Sequence, residues 1–320
     1  MTENKLPVFY ACINKNEASR NCSSSGGVFT LLAERVIAEN GAVFAARFNS
    51  DFEVIHDCCE EISELKFFLG SKYVQSKMNG VYSYVKSKLS EGKKVLFCGT
   101  PCQVSALKAY LGCEHADLLT VDFVCHGVPS PKIWKDYLRK IANGREISNI
   151  NFRDKTEGWR RFSLKIQFTN GDEYRAMHRE DTFMKGFLQN IYLRPSCYEC
   201  AFKGLESEAD ITLADFWRAQ EFVPSLYDDK GTSLIIVNSQ KGIEAWNRIE
   251  DKMCFERSDE ATALAVNSSI LHSAPRPAKR DTFFTDKETD IVVRIEKTVK
   301  IGMMQRVKGK LKSVFSSIKG

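Results

Sequence analysis

The sequence predicts an α/β protein with an added antiparallel β region (mixed α+β) and a basic amphipathic helix at its C-terminal end. Three observations carry this expectation. Apolar strands alternate with helical patterns over residues 81–141, which implies βαβ units and a mainly parallel sheet. After Gly144 strands follow one another, two of them joined at Asn170-Gly171 as a hairpin. From Ile291 onward, apolar residues one turn apart are set among lysines and arginines.

In chain order, residues 7–12 read as a short strand and 14–20 as a polar stretch. The loop Cys22-Ser23-Ser24-Ser25-Gly26-Gly27 runs into an amphipathic helix, with Val28, Leu31, Leu32, Arg35 and Val36 at helical spacing. Serines cap helices well, glycines let a ligand approach the backbone, and the free N–H groups of a helix start can hold a phosphate. On local sequence alone the plain capped helix is the favoured reading, since serine N-caps are common. No G-x-G-x-x-G and no Walker loop occurs. Gly41 ends the helix, residues 42–48 and 53–56 alternate as a hairpin, and 60–69 form a short helix. In Gly70-Ser71-Lys72-Tyr73-Val74-Gln75-Ser76, Lys72 could meet a phosphate and Tyr73 a flat ring; otherwise the loop is a solvated turn.

Helices are expected at 81–89, 103–111 and 131–141, and buried strands at 94–98 and 118–124. Strands at 147–152, 162–168 and 172–177 follow, with the charged run Arg153 to Arg161 between the first two. Such runs are ordinarily solvated faces, although Trp159 among arginines also suits an anionic or planar partner. Residues 181–190 read as a helix, 209–217 as a strand ending in an acid and two aromatics, 234–237 as a strand and 243–249 as a helix. Pro and charge content make 273–286 a surface segment. In the tail, Ile291, Ile295, Val299, Met303, Val307, Leu311, Val314, Phe315 and Ile318 recur about once per turn. A helix of that kind lies on an anionic membrane, docks on a partner or packs on its own core.

Four cysteines organise the middle of the chain. Cys102 lies in Gly99-Thr100-Pro101-Cys102-Gln103, Cys125 in Cys125-His126-Gly127-Val128-Pro129, and Cys197 and Cys200 form a C-x-x-C unit. Four thiolates suit an iron–sulfur cluster or a zinc ion. A lone C-x-x-C is also compatible with a redox dithiol or with surface cysteines. Cys102 and Cys125 each follow an apolar run, so both are expected where a buried strand ends, and ligand sites of open α/β sheets gather there. His126 and Asp215 are the polar groups expected near the cofactors, His126 serving equally well as a satisfied core histidine.

The 320 residues fit one large or two medium domains. No apolar run approaches the roughly 20 residues of a membrane span, and residues 1–10 show no signal-peptide pattern, so the expected location is the cytoplasm. Eleven cysteines, an odd number, argue for metal or redox use rather than a disulfide framework. Cys12, Cys22, Cys58, Cys59, Cys98, Cys113 and Cys254 lack ligand spacing and are expected as small buried hydrophobes. The net charge is +5, but residues 291–320 hold eight basic residues and one acid, so the rest of the chain is slightly acidic. There is no global basic field for nucleic acid.

The ordered motifs resemble the beta subunits of coenzyme F420-dependent hydrogenases and dehydrogenases. The resemblance spans roughly residues 20–250, through Ser24-Ser25-Gly26-Gly27, Gly70-Ser71-Lys72-Tyr73, Gly99-Thr100-Pro101-Cys102-Gln103, Cys125-His126-Gly127-Val128-Pro129-Ser130, Phe152-Arg153-Asp154-Lys155, Gly158-Trp159, Arg194-Pro195-Ser196-Cys197-Tyr198-Glu199-Cys200 and Asp210 to Trp217. It implies an FAD-dependent, iron–sulfur oxidoreductase that exchanges hydride with a deazaflavin or another small molecule and single electrons with a redox partner protein. Similar proteins include 7-hydroxymethyl chlorophyll a reductase and members from bacterial surface-polysaccharide gene sets. Carried over residue by residue, Cys102, Cys125, Cys197 and Cys200 would ligate a [4Fe–4S] cluster. Ser24, Ser25, Gly26 and Gly27 would approach the flavin phosphates, with Lys72 and Gln103 nearby.

Some features depart from the family pattern. Fuller members often begin with a ferredoxin-like domain, whereas here Cys12 and Cys22 stand alone, so a second cluster is expected from a partner or not at all. The usual Gly-Asp-Phe-Trp-Gly reads Ala214-Asp215-Phe216-Trp217-Arg218, and a positive φ at Arg218 would be strained. The basic tail, which could touch a membrane surface or a partner, lies outside the pattern. The expected division is 1–92 as a flavin half, 93–285 as an iron–sulfur half of the same unit, and 286–320 as the tail. Two other readings stay open: a structural-zinc scaffold protein, and a flavin-free electron-transfer subunit.

Overall fold

The computed structural model describes residues 6–287 and 289–299. Its strands are β1 (Val8–Asn14), β2 (Ala42–Phe48), β3 (Val54–Cys59), β4 (Val95–Gly99), β5 (Leu118–Phe123), β6 (Ile147–Asp154), β7 (Ser163–Phe168), β8 (Glu173–Met177), β9 (Ile211–Asp215), β10 (Ser233–Val237) and β11 (Met253–Ser258). Eight of them form one sheet in the order β11-β1-β10-β9-β5-β4-β2-β3, and β6-β7-β8 form a second. The expected βαβ units are the parallel centre of the large sheet, where β2, β4, β5 and β9 run the same way. The flanks are antiparallel, β3 on one side and β10, β1 and β11 on the other. The α/β class with an added antiparallel region is therefore the observed one. Strands from both sides of residue 92 interleave, since β1 lies between β10 and β11.

Period-two alternation sorts the large sheet's side chains onto two faces. Along β1, Val8 and Cys12 join the core that helices Val28–Ala38 and Gln240–Asn247 cover. Phe9 and Ala11 point the other way, toward helix Glu260–Val266. Helices Val81–Ser90 and Pro101–Leu111 cover the same sheet over β2 and β4, on Phe44, Val95 and Phe97. The second sheet is antiparallel throughout, and its β7–β8 hairpin turns at Asn170-Gly171 as expected, Gly171 adopting φ 88°. It closes on an aromatic core of Trp134, Tyr137, Phe152, Phe183, Tyr192 and Phe283.

The C-terminal region departs from the expectation of a surface segment. Helix Arg280–Thr285 buries Arg280 and Phe283, and backbone 291–299 is helical. Ile291, Ile295 and Val299 enter the aromatic core. The start of the tail thus packs on the chain's own core, while the expected repeats from Met303 to Ile318 lie outside the described residues. Several elements carried too weak a pattern to be foreseen. Strand β11 is an exposed edge, and helix Glu17–Cys22 lies in the stretch read as polar. Cys22, Cys113 and Cys254 are exposed rather than buried, because they sit at a helix end, in a loop and on that edge strand. Among the described residues no helix is long and apolar enough to cross a membrane.

Candidate functional site

One edge of the large sheet collects the chemistry. Strands β1, β4, β5 and β9 all end there and β10 begins there, with Cys12 level with Ser233 and Ser233 level with Asp215. The Ser24–Gly27 loop lies on this edge. A Cβ on Gly26 would stand 2.4 Å from the Cys12 carbonyl oxygen and 2.8 Å from the Ser233 nitrogen, so glycine is needed to seat the loop on the strands. Ser25 is buried, and its hydroxyl donates to the Thr232 carbonyl at 2.8 Å. Gly27 precedes helix Val28–Ala38 with φ 86° and no side-chain cap. Ser24 shares a 2.7 Å hydroxyl bond with Ser71. Of the expected phosphate loop, Ser24, Ser25 and Gly26 are therefore all engaged by protein, and Gly27 is buried at the helix start.

Arg153 is the hub of this edge. It leaves the end of β6 almost fully buried, yet faces Asp215 at 3.1 Å, the Tyr73 hydroxyl at 3.0 Å and the Ser24 carbonyl at 3.2 Å. Its guanidinium lies over the rings of Phe162, Trp217 and Trp159 at 4.3, 5.3 and 6.0 Å. Trp159 and Trp217 stack at 4.9 Å and 13°, and the Trp159 N–H also reaches the Ser24 carbonyl. Burial works against the Arg153 charge, but Asp215 and Tyr73 outweigh it and hold the group above its ordinary range. Asp215 is thus one half of a buried pair, not a free carboxylate. Arg153 hides in a run whose other members, such as Arg160 and Arg161, are exposed, so charge density alone could not single it out. Its apolar neighbour Phe152, in strand spacing, was the available signal.

Two enclosed lysines lie near this hub. Lys155 donates to the carbonyls of Arg20 and Lys230 at 2.8 and 2.9 Å. Burial, with Arg153 and Arg20 nearby, pushes it down to about 8. The ammonium of Lys72 is enclosed although the residue is half-buried; it donates to the Leu69 carbonyl at 2.8 Å, and burial pushes it down to about 7. Neither lysine forms an ion pair among the described residues. Gln103 caps its own helix, accepting the Thr100 N–H at 2.9 Å, and donates to Ser76 at 2.8 Å. Ser76 in turn meets His56 Nδ1 at 2.8 Å.

The four cysteines come together from three segments. Cys102 lies in the first turn of helix Pro101–Leu111, three residues beyond β4, and Cys125 lies two residues beyond the neighbouring β5. Residues 128–130 then pair with 192–194, through Arg194 N to Val128 O at 2.9 Å and Ser130 N to Tyr192 O at 3.1 Å. This lays the Cys197–Cys200 turn against the Cys125 loop. Gly127, at φ 127°, leaves room for it: a Cβ there would stand 3.1 Å from Cys197 Cβ. Burial pushes the Cys125 thiol up to about 12, and Cys197 and Cys102 add to the rise. Cys197 is raised by burial and further by Cys102 and Cys200. The four thiols therefore share one field. Among the described residues no three His, Cys, Asp or Glu side chains converge as ligands of a single ion.

His126 connects the two groups. Its Nε2 donates to Asn190 Oδ1 at 2.6 Å, burial lowers its pKa, and its ring meets Phe187 edge-on at 5.3 Å. Phe187 stacks on Tyr73 at 5.0 Å, and Tyr73 reaches Arg153. Arg218 adopts φ −114°, so the expected strain is absent, and it turns toward Glu221 and the Phe222 ring. A separate cavity of about 180 Å³ is lined by Phe52, Val54, Trp134 and Leu138; its charged Lys77 and Glu53 pair with each other.

The family model for the C-terminal part of the coenzyme F420 hydrogenase/dehydrogenase beta chain matches residues 92–262. The chain belongs to this family. The match contains all four cysteines, Arg153, Trp159 and Asp215, while the Ser24 loop, Lys72 and everything beyond 262 lie outside it. The F420 hydrogenase/dehydrogenase beta-subunit family is one of redox proteins, which makes the chain oxidoreductase-related. Among solved structures, a xenon-derivatised F420-reducing [NiFe] hydrogenase complex from Methanosarcina barkeri contains a chain of similar fold. The two are 15% identical with a TM-score of 0.53, over 93% of this chain and 91% of that one. No curated protein matches the chain.

Proposed function

We propose that this chain is an iron–sulfur flavoprotein oxidoreductase, with Cys102, Cys125, Cys197 and Cys200 as the ligands of a [4Fe–4S] cluster and the Ser24–Arg153 edge as the seat of FAD. One observation carries the proposal. The segments that compose the two candidate sites meet at one sheet edge, and the rings of Tyr73, Phe187 and His126 run from one site to the other. The donor set fits the cluster: four thiols, drawn from three segments, lie close enough to feel one another.

The residues also fit an anionic, planar cofactor. Lys72 and Lys155 are enclosed cations with no carboxylate partner among the described residues, which favours an anion beside them. The uncapped helix start at Gly27 adds free N–H groups. Trp217, half-buried on its stacked partner Trp159, offers a flat apolar face. When bound, FAD and the cluster would supply conversion between two-electron hydride chemistry and single-electron transfer. Arg153 holds Asp215, Tyr73 and the Ser24 loop in register, and Asn190 fixes the half-buried His126. A small-molecule hydride donor or acceptor and a redox partner protein complete the reading.

Protein purified without oxygen tests this directly, with visible spectrum, iron, sulfide, zinc and flavin assayed on one sample. About four irons per chain with released FAD is the expected result. Iron without flavin would make it an electron-transfer subunit. Zinc without colour would overturn the redox reading.

A further inference from the structure

We infer that the segment from Ser269 to Arg280 clamps the four-cysteine group, with Arg280 as its principal positioning residue. The inference rests on reading that group as an iron–sulfur centre. The segment lies beyond the region that matches the family, and 271–279 contains no helix or strand. It is nevertheless bonded to the Cys125 loop, through Lys203 and Asn190, and to the Cys197–Cys200 turn. The Lys203 ammonium bridges the Cys125 carbonyl at 2.5 Å and the Ser269 carbonyl at 2.7 Å. The Cys200 N–H donates to Ser273 Oγ at 3.0 Å. Asn190, held at φ 61°, gives Nδ2 to the Pro275 carbonyl at 3.4 Å while its Oδ1 fixes His126 beside Cys125.

Arg280 closes the clamp. Its Nη1 donates to the Ile191 carbonyl at 3.0 Å and to the hydroxyl of Tyr198, inside the C-x-x-C turn, at 2.9 Å. Tyr198 passes the bond on to the Asn190 carbonyl at 2.5 Å. Asn190 thus ties the Cys125 loop to the Cys197–Cys200 turn, and Arg280 locks the tie. Arg280 is only 8% exposed; its guanidinium lies over the Tyr198 and Phe284 rings at 5.0 and 4.6 Å and forms no ion pair among the described residues. A buried, unneutralised cation is costly by itself and is stabilised by a nearby anion. A thiolate-ligated cluster is an anion that gains a further negative charge on reduction, and Arg280 reaches its Cys197–Cys200 turn through the Tyr198 hydroxyl.

The test uses the full chain purified without oxygen, as wild type, Arg280→Met, Arg280→Lys and Arg276→Ala. Arg276 is a control on the same segment, exposed and paired with Asp281. Iron release to a chelator and the midpoint potential, from reductive titration of the visible band, are the readouts. Arg280→Met should release iron severalfold faster and shift the midpoint to more negative values. Arg280→Lys, which keeps the charge, should restore the potential, and Arg276→Ala should match wild type. Wild-type release and potential in Arg280→Met overturn the inference. Should Arg280→Met fail to fold by circular dichroism, Tyr198→Phe decides: it removes only the hydroxyl that joins Arg280 to Asn190, and unchanged iron release then overturns the clamp. A wild type without iron defeats the reading of the cysteine group and the clamp with it; a wild type with iron that ignores these substitutions defeats the clamp alone.

Discussion

Arg153 shows what a single side chain does here. Three aromatic rings and four oxygens surround its guanidinium, and both terminal nitrogens are bonded while the buried Nε has no partner among the described residues. Arg153→Met leaves Asp215 without its cation and cuts the tether to Tyr73 and Ser24. Removing one partner of a buried pair costs roughly 3 kcal/mol. Guanidinium denaturation should show that loss as a lower midpoint at unchanged slope, whereas a loss below about 1 kcal/mol would mean the pair is not the hub. Lys72 gives a pH signature. Its folded value lies near 7 and its unfolded value near the ordinary lysine range, so between them the unfolded chain binds more protons. Stability contributed through Lys72 must therefore rise as pH climbs from about 7 to about 10. Denaturation of wild type and Lys72→Met across that window should show wild type gaining on the variant; parallel curves would place the ammonium in solvent.

At the scale of elements, the carboxyl ends of β4 and β5 were legible because each is a short apolar run followed by a Gly- or Pro-containing turn. That pattern located Cys102 and Cys125 on neighbouring strands without any knowledge of pairing. What placed the C-x-x-C turn beside them was not legible. The 128–130 to 192–194 bridge joins segments more than sixty residues apart and has no periodic signal. Gly127 is its local requirement, since φ 127° strains any side chain and a Cβ there would crowd Cys197 Cβ at 3.1 Å. Gly127→Ala should cost about 2 kcal/mol and lower iron per chain while far-ultraviolet circular dichroism is unchanged. Full iron content in that variant would show that the loop tolerates displacement. The antiparallel flank through β11 was missed for a related reason: an edge strand with four exposed residues in succession does not alternate.

Across the whole molecule, the same residues that read as a tail, Ile291, Ile295 and Val299, complete the aromatic core. An amphipathic stripe reports only that a face is covered, not by what, so the sequence could not choose between core, partner and membrane. Ile295 is fully buried, and Ile295→Asp should destabilise the fold by about 3 kcal/mol or more. A variant of wild-type stability would return this stretch to the surface. The large sheet, by contrast, gathers its site from residues 24 to 215, and the clamp extends it to Arg280. The central claim is that four cysteines from three distant segments make one redox centre. Electron paramagnetic resonance of the dithionite-reduced protein tests it most directly, in wild type and in Cys102→Ser, Cys125→Ser and Cys197→Ser. Wild type should give one signal of about one spin per chain, diminished or altered in all three variants. A silent wild type, or a signal that all three substitutions leave untouched, would contradict the account.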